Sequence, residues 1–178
     1  DFYAGGGFNS SGRIFLQKDD GTFVSNLLSQ EKFTSEDADC TLFDADGDGD
    51  QDLFISGGDT RFNDTSHYYI PRLYTNDGEG NFSLDTTAIP SSVKAIGGAV
   101  LTADFDEDGD LDIFLGSRVA KQYPQIPTSY LLQNNGGKFA DATQKLTPQL
   151  SKAGMVTAAV WADIDNDKKA ELIIAGGR

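Results

Sequence analysis

Five aspartates occupy every second position of one short stretch, and an apolar segment follows them directly. They are Asp44, Asp46, Asp48, Asp50 and Asp52. Like charges at this spacing repel one another, and acidic runs are commonly disordered tails. A tail would not lead straight into Leu53, Phe54 and Ile55. The sequence therefore indicates a structured acidic loop whose charge is neutralised and which is held against a core.

The same loop pattern occurs three times. Numbering positions from the first aspartate gives loop 1 (residues 44–52), loop 2 (residues 104–112) and loop 3 (residues 163–171), which start 60 and then 59 residues apart. The carboxylates of the later two loops are Asp104, Asp106, Asp108, Asp110 and Asp112, followed by Asp163, Asp165, Asp167 and Glu171. Repetition argues against a merely solvated acidic turn, which is the plainest alternative for a single loop.

Calcium is the cation that this pattern predicts. Ca²⁺ accepts six to eight oxygen ligands at flexible geometry, whereas Mg²⁺ requires stricter octahedral coordination. Carboxylates at positions 1, 3, 5 and 9 supply oxygens, position 7 (Asp50, Asp110) adds a backbone carbonyl, and glycine at position 6 permits the sharp turn. The EF-hand has similar spacing but requires a glutamate at position 12, where this chain has Ile55, Leu115 and Ile174.

The three loops are not equivalent. Loop 3 has Glu171 at position 9 and Lys168 at the glycine position, where we expect a left-handed backbone that costs a residue with a Cβ roughly 1 kcal/mol. We therefore expect two calcium sites, in loops 1 and 2, and a weaker third site in loop 3. Asp1 corresponds to Asp52, but the preceding loop positions are not in the sequence, so we expect no cation at Asp1.

A second repeated marker identifies the elements that position these loops. The segments "DGTF", "EGNF" and "GGKF" place Phe23, Phe82 and Phe139 59 and then 57 residues apart, each after an alternating apolar stretch. Each unit then contains four short strands, with the acidic loop between the first two and a tight turn between the last two. This is the pattern of a β-propeller blade, so we predict an all-β fold: a β-propeller segment of about three four-stranded blades.

The two markers also give the blade boundaries. We predict strands two to four of one blade over residues 1–35, complete blades over 36–94 and 95–153, and strands one and two of another blade over 154–178, all in one propeller domain. An open stack of blades would leave a bare sheet face at each end. We therefore expect a mature or truncated piece of a larger propeller.

Composition limits the partners and the role of the cysteine. The net charge of −14 argues against nucleic acid, whose phosphates require lysine and arginine. The apolar runs are too short for direct membrane insertion. The single cysteine, Cys40, excludes an internal disulfide, and its alignment with Val100 and Ala159 in inner strands predicts a small buried hydrophobic residue.

The acidic loops, together with the turns "NDGEGNF" and "NNGGKF", resemble the FG-GAP/VCBS repeat family. The segment "GMVTAAVWADIDNDKKAELII" is similar to a blade start of its secreted bacterial members, which are allied with cartilage-acidic-protein-like propellers. The resemblance covers essentially the whole chain. It implies a seven-bladed propeller like that of integrin α heads, calcium in the loop joining strands one and two of a blade, and secretion to an extracellular or bacterial cell-surface location. It does not imply one activity, since members bind proteins or glycans and some are attached to enzymes.

We find no catalytic constellation in the sequence. His67 is the only histidine and lies in a long polar loop, so a Ser-His-Asp triad could be built only around it. We expect a non-catalytic module, with the activity of the full-length protein left open.

Two functions therefore stay open. The loops opposite the acidic ones carry Tyr68, Tyr69 and Tyr123, and because tyrosine is favoured at interfaces we predict the partner surface there. The first function is a calcium-binding extracellular module that binds protein or glycan, alone or within a surface complex. The second is a scaffold domain of a carbohydrate-active enzyme such as a polysaccharide lyase.

Overall fold

The computed structural model describes residues 1–28, 35–58, 60–62, 66–120 and 124–177. They form four antiparallel sheets. Sheet 1 contains β1 (Phe2–Ala4), β2 (Arg13–Gln17) and β3 (Phe23–Leu27), and sheet 2 contains β4 (Asp37–Phe43), β5 (Asp52–Gly57), β6 (Arg72–Asn76) and β7 (Phe82–Asp85). Sheet 3 contains β8 (Val100–Ala103), β9 (Asp112–Leu115), β10 (Tyr130–Gln133) and β11 (Ala140–Asp141), and sheet 4 contains β12 (Met155–Ala162) and β13 (Glu171–Gly177). Short helical segments are the 3-10 turns His67–Tyr69 and Leu150–Lys152 and the helix α1 (Thr143–Leu146).

Every sheet is an up-and-down meander, because strands that are neighbours in the chain are also neighbours in the sheet. The second strand of each complete sheet is the most deeply buried: all residues of β5 and β9 are buried, which fits their continuous apolar runs. The all-β class and the propeller-like blades predicted from the sequence are confirmed. Within the described residues, no helix has the length and apolarity needed to cross a membrane.

The hydrophobic core lies between consecutive sheets rather than inside any one of them. The largest cluster joins sheets 2 and 3 and includes Phe43, Phe54, Val100, Ile113 and Phe139. A second cluster joins sheets 1 and 2 through Ile14, Leu53, Ile55 and Tyr74. A third joins sheets 3 and 4 through Phe114, Leu131, Leu150 and Val156. Each sheet is therefore stabilised by its neighbours, as in a stack of repeats.

Successive first strands lie side by side, so that β8 contacts both β4 and β12. The backbone N–H of Val100 in β8 donates to the carboxylate of Asp39 in β4 at 2.9 Å. On the other side, the N–H of Val156 in β12 donates to the carbonyl oxygen of Ser117 at 3.0 Å. In the described residues, β4, β8 and β12 therefore form a continuous wall that sheets 2, 3 and 4 share.

A buried ion pair ties sheet 1 to sheet 2. The carboxylate of Asp37 accepts hydrogen bonds from Arg72 Nη2 at 2.6 Å, from the Tyr3 hydroxyl at 2.5 Å and from the Gly6 N–H at 2.5 Å. Burial and the hydrogen bond to Asp37 raise the pKa of Tyr3 far above its usual value, so the phenol remains a donor. The Asp37 carboxylate is well satisfied, which helps a buried charge to be tolerated, whereas the buried Nε of Arg72 has no hydrogen-bond partner among the described residues.

Cys40 is exposed, so the prediction that it is buried is wrong. It pairs with Ile55 on the face of sheet 2 that is turned toward sheet 1. Among the described residues, sheet 1 has three strands and β1 corresponds to β5, so no strand lies over Cys40 or over Leu42, which is 40% exposed. The alignment placed Cys40 in the correct strand, but its burial depends on the adjacent sheet.

Replacing Asp37 with alanine should destabilise the protein by about 3 kcal/mol or more, because it leaves the Arg72 guanidinium buried without its counter-charge. The matched control is Glu36→Ala, which breaks the exposed Glu36–Arg61 pair (3.4 Å) and should cost less than about 1 kcal/mol. Chemical denaturation monitored by circular dichroism measures both values. Equal effects of the two substitutions would contradict the role assigned to Asp37.

Candidate metal centre

Each acidic loop connects the first two strands of a sheet in the same register. The residue before the loop pairs with the carboxylate at position 9: Phe43 with Asp52, and Ala162 with Glu171. In sheet 3 the pair is Ala103 with Asp112. The apolar strands on both sides fix the ends of the loop, so its interior must form a tight turn with the carboxylates.

Two positions of every loop have the left-handed backbone conformation. Position 6 has φ values of 98° at Gly49, 101° at Gly109 and 75° at Lys168, and position 4 has φ values of 81° at Gly47, 61° at Glu107 and 64° at Asn166. Glycine adopts this conformation without steric cost, whereas a residue with a Cβ pays about 1 kcal/mol. The left-handed position that the sequence assigned to Lys168 is confirmed, and loop 3 keeps the shape of the other loops at a cost.

The carboxylate at position 1 organises the turn by accepting two backbone N–H groups. Asp44 accepts from Gly47 at 2.8 Å and from Gly49 at 3.0 Å. Asp104 and Asp163 each accept two N–H groups of their own loops in the same way, at 2.7–3.1 Å. These bonds hold the carboxylate inward and partly offset its charge.

The structure brings three carboxylates of each loop together. One oxygen from each member of a group lies within 4.8 Å of the others. The groups are Asp44, Asp46 and Asp48 in loop 1, Asp104, Asp106 and Asp108 in loop 2, and Asp163, Asp165 and Glu171 in loop 3.

The remaining predicted ligands lie outside these groups and have other contacts. Asp110 accepts a hydrogen bond from the Gly136 N–H at 3.0 Å, and Asp167 accepts one from the Lys169 N–H at 2.8 Å. Asp50 is different, because its buried Oδ1 has no hydrogen-bond partner within the described residues. Unsatisfied buried oxygens are rare in native proteins.

The position 9 carboxylate is buried and links its loop to the third strand. Asp52, with 0% of its surface exposed, accepts from the N–H groups of Ala45 at 2.9 Å and Asn76 at 2.8 Å. Asp112 accepts equivalent bonds from Phe105 and Asn134 at 3.0 and 2.8 Å. Asp1 likewise accepts from Gln17 at 2.7 Å, so its correspondence to Asp52 is seen in the hydrogen bonding of sheet 1.

Three carboxylates of loops 1 and 2 have a raised pKa. Burial, and to a smaller extent the neighbouring carboxylates Asp106 and Asp108, raise the pKa of Asp112 to about 6 although two N–H groups oppose the shift. Burial raises the pKa of Asp52 in the same way. Partial desolvation followed by repulsion from Asp48 raises the pKa of Asp50. Burial therefore disfavours the charged form of these three carboxylates.

The predicted partner residues have three different environments. Tyr68 is half-buried and stacks on Phe62 with ring centroids 4.3 Å apart. Tyr69 is only 2% exposed, and its hydroxyl contacts the Phe62 backbone, so little of it is available to a partner. Tyr123 lies outside the described residues.

Sequence reasoning missed the asparagine that follows the third strand. Asn134 is 1% exposed and its side chain makes hydrogen bonds to both neighbouring acidic loops. Asn76 occupies the same place in sheet 2 and donates to Gln51 at 3.3 Å. The signal was present, because an asparagine precedes the tight turn in both "TNDGEG" and "QNNGG".

The repeated geometry agrees with a comparison with known families. Residues 44–115, from the start of loop 1 to the end of β9, match the family model described as the FG-GAP-like repeat. This part of the chain is therefore similar to FG-GAP-like repeats. FG-GAP repeats form β-propeller-type modules and are generally non-catalytic. No curated protein matches the chain.

The raised pKa of Asp112 predicts how the stability of the metal-free protein depends on pH. A carboxyl whose folded pKa exceeds its unfolded value contributes stability that is complete at low pH and is lost as pH rises through the folded pKa. In a chelator, the melting temperature should therefore fall by a few degrees between pH 5 and pH 7. Asp112→Asn, which cannot titrate, should flatten this slope. Thermal denaturation at a series of pH values tests this, and a melting temperature that rises over the same range would contradict it.

Proposed function

We propose that this chain is a calcium-binding, extracellular β-propeller module that presents a surface for a protein or glycan partner. The observation that carries the proposal is the repetition of one oxygen cluster, in one position, in three successive sheets. A single acidic cluster is common on protein surfaces, but three copies on one loop geometry indicate a shared ligand.

The donor set fits calcium. Calcium binds oxygen at 2.3–2.6 Å, so two oxygens on one ion can be at most about 5.2 Å apart, and the three oxygens of each cluster satisfy this limit at 4.8 Å or less. Asp44 and Asp104, held by backbone N–H groups, would present one face of each site. Calcium would supply the positive charge that the clustered carboxylates require. Position 7 would offer its carbonyl, and the unsatisfied Asp50 Oδ1 shows that loop 1 has an oxygen in need of a partner.

Loop 3 should be the weakest of the three sites. Lys168 and Lys169 place two positive charges next to its carboxylates, and Lys168 has φ 75° where the other loops have glycine. Glu171 does reach the cluster despite its extra methylene. Ligand charge and loop geometry both set calcium affinity, so loop 3 keeps a site with reduced affinity.

Calcium titration of the protein should fill loops 1 and 2 before loop 3. Isothermal titration calorimetry on Asp44→Ala, Asp104→Ala and Asp163→Ala assigns each site by the binding event that is lost. Lys168→Gly removes a charge and the backbone strain, and should tighten the loop 3 site by about five-fold, since roughly 1 kcal/mol is involved. Lys18→Ala, an exposed lysine in the β2–β3 turn, serves as the control. If Asp163→Ala abolished the first binding event, the proposed order of filling would be wrong.

We also propose that the four sheets are the blades predicted over residues 1–35, 36–94, 95–153 and 154–178 of one larger propeller, seven-bladed as the family resemblance implies. The support is the apolar outer face of the terminal sheets. Phe2 and Phe23 on sheet 1 are both 46% exposed, although Phe2 stacks with Phe15 and meets the Phe23 ring edge-on. Val160 and Ile173 on sheet 4 are similarly uncovered. Such faces are buried by neighbouring blades in repeat proteins.

The partner surface is assigned to the end of the sheets opposite the acidic loops. A groove there has a volume of about 500 Å³ and is lined by residues 118–120, 124–127, 152, 154 and 155. Its apolar part includes Val119, Ile126 and Met155, which are exposed. Arg118 and Lys152 add two cationic side chains to an otherwise acidic chain. Loops held on a rigid scaffold commonly bind partners.

The two cations favour one specific alternative. An anionic polysaccharide would be attracted to Arg118 and Lys152, which fits a scaffold domain attached to a carbohydrate-active enzyme such as a polysaccharide lyase. In that case the groove would hold substrate for a catalytic domain elsewhere in the protein.

Substitutions in the groove should abolish partner binding without changing the fold. We expect Arg118→Ala combined with Ile126→Ser to lower binding of the fluorescently labelled protein to arrayed glycans and peptides by at least ten-fold in calcium. Lys18→Ala, at the acidic-loop end, should bind like the unsubstituted protein. Circular dichroism checks that the fold is retained. Unchanged binding by the double variant would place the partner surface elsewhere. Whether the control variant binds glycan spots or peptide spots distinguishes a glycan partner from a protein partner.

A further inference from the structure

We propose that the turn formed by residues 134–137 couples calcium binding in loop 1 to calcium binding in loop 2, with Asn134 as the positioning residue. The turn joins β10 to β11 and lies between the acidic loops of two neighbouring sheets. The inference rests on the proposed function, because it concerns the regulation of the same calcium sites.

Asn134 makes hydrogen bonds to both loops at once. Its Nδ2 donates to the carbonyl oxygen of Ala45, at position 2 of loop 1, at 2.8 Å. The same nitrogen donates to the carbonyl oxygen of Leu111, at position 8 of loop 2, at 3.1 Å. Its backbone N–H donates to Asp112, and its Oδ1 accepts from the Gly137 N–H at 3.0 Å. Asn134 is buried, so water cannot easily replace these partners.

The two glycines of the turn extend the contact. The Gly136 N–H donates to Asp110 in loop 2. Gly137 lies against loop 1, where a Cβ added to it would be 3.1 Å from the Cβ of Asp46. The turn therefore touches positions 2 and 3 of loop 1 and positions 7, 8 and 9 of loop 2.

These contacts give a physical route for coupling. Calcium in loop 1 would fix Asp46 and with it the adjoining Ala45 carbonyl, which positions the Asn134 side chain. Asn134 in turn holds Leu111 and Asp112, which set the end of loop 2. Because binding free energies are reciprocal, loop 2 must affect loop 1 by the same factor.

The other contacts between the loops are weaker or local. Loop 3 reaches loop 2 through the ion pair between Lys169 and Glu107 at 2.8 Å, whose side chains are both 64% exposed. Exposed pairs contribute little. Asn76, the counterpart of Asn134, donates to Gln51 of its own sheet. Coupling is therefore expected between loops 1 and 2, and Asn76 provides a control.

The experiment measures a coupling factor by calorimetry. The factor is the calcium affinity of loop 2 in the full chain with loop 1 intact, divided by its affinity when Asp44→Ala and Asp46→Ala disable loop 1. Electrostatic interactions between the charges of loops 1 and 2 also contribute to this factor, but they remain when Asn134 is replaced. We expect the factor to fall by about five-fold or more in Asn134→Ala and in Gly137→Ala. Asn76→Ala should keep it. Gly136→Ala is the strain control for Gly137→Ala: both glycines have positive φ (57° and 83°), but a Cβ added at Gly136 meets no atom within 4 Å, so this variant should lower the factor less.

A second measurement requires no substitution in the turn. In the chain with loop 2 disabled by Asp104→Ala and Asp106→Ala, calcium in loop 1 should slow amide hydrogen exchange at Asn134 and Gly137. An unchanged coupling factor in Asn134→Ala, or no slowing of exchange, overturns the coupling while calcium binding stands. Absence of any calcium binding in the unsubstituted protein instead overturns the proposed function.

Discussion

The arrangement of sheets 2 and 3 depends on one buried carboxylate in each, the residue at position 9 of the acidic loop. In sheets 2 and 3 its two oxygens accept N–H groups from the start of the loop and from the end of the third strand. It thus joins the loop, the second strand and the outer hairpin at one point. A neutral side chain could not accept both N–H groups equally well, because an amide has only one acceptor oxygen. The carboxylate is retained despite the cost of burying it.

The loops contain more carboxylates than are needed to hold their turns by hydrogen bonds. Backbone N–H groups satisfy the carboxylates at positions 1 and 9, yet carboxylate oxygens still converge, from positions 1, 3 and 5 in loops 1 and 2 and from positions 1, 3 and 9 in loop 3. Folding alone would place these charges apart. Their convergence in three loops is consistent with selection for a bound ion. Glycine at position 6 allows the left-handed backbone of loops 1 and 2 without steric cost.

The repeated motifs in the sequence predict the strands and loops of each sheet, but they do not predict the contacts between sheets. Spacing located the loops, the hairpin turns and the left-handed position now occupied by Lys168. It could not show that Cys40 is exposed, because burial depends on the sheet beside it. It assigned Tyr69 to the partner surface although this side chain is only 2% exposed, and it missed the Asp37–Arg72 pair, whose members are 35 residues apart. Asn134 was missed since its role is visible only when two sheets are stacked.

The placement of the core between sheets has a consequence for how the molecule comes apart. Each hydrophobic cluster is shared by two neighbouring sheets, so each sheet depends on its neighbours for the contacts that keep it folded. Loss of one sheet should therefore expose part of its neighbour's core, so that unfolding passes from sheet to sheet. The interface between sheets 2 and 3 has the largest cluster and the Asn134 bonds, and it would be the last to open. Mechanical tension applied to the two ends would be resisted mainly there.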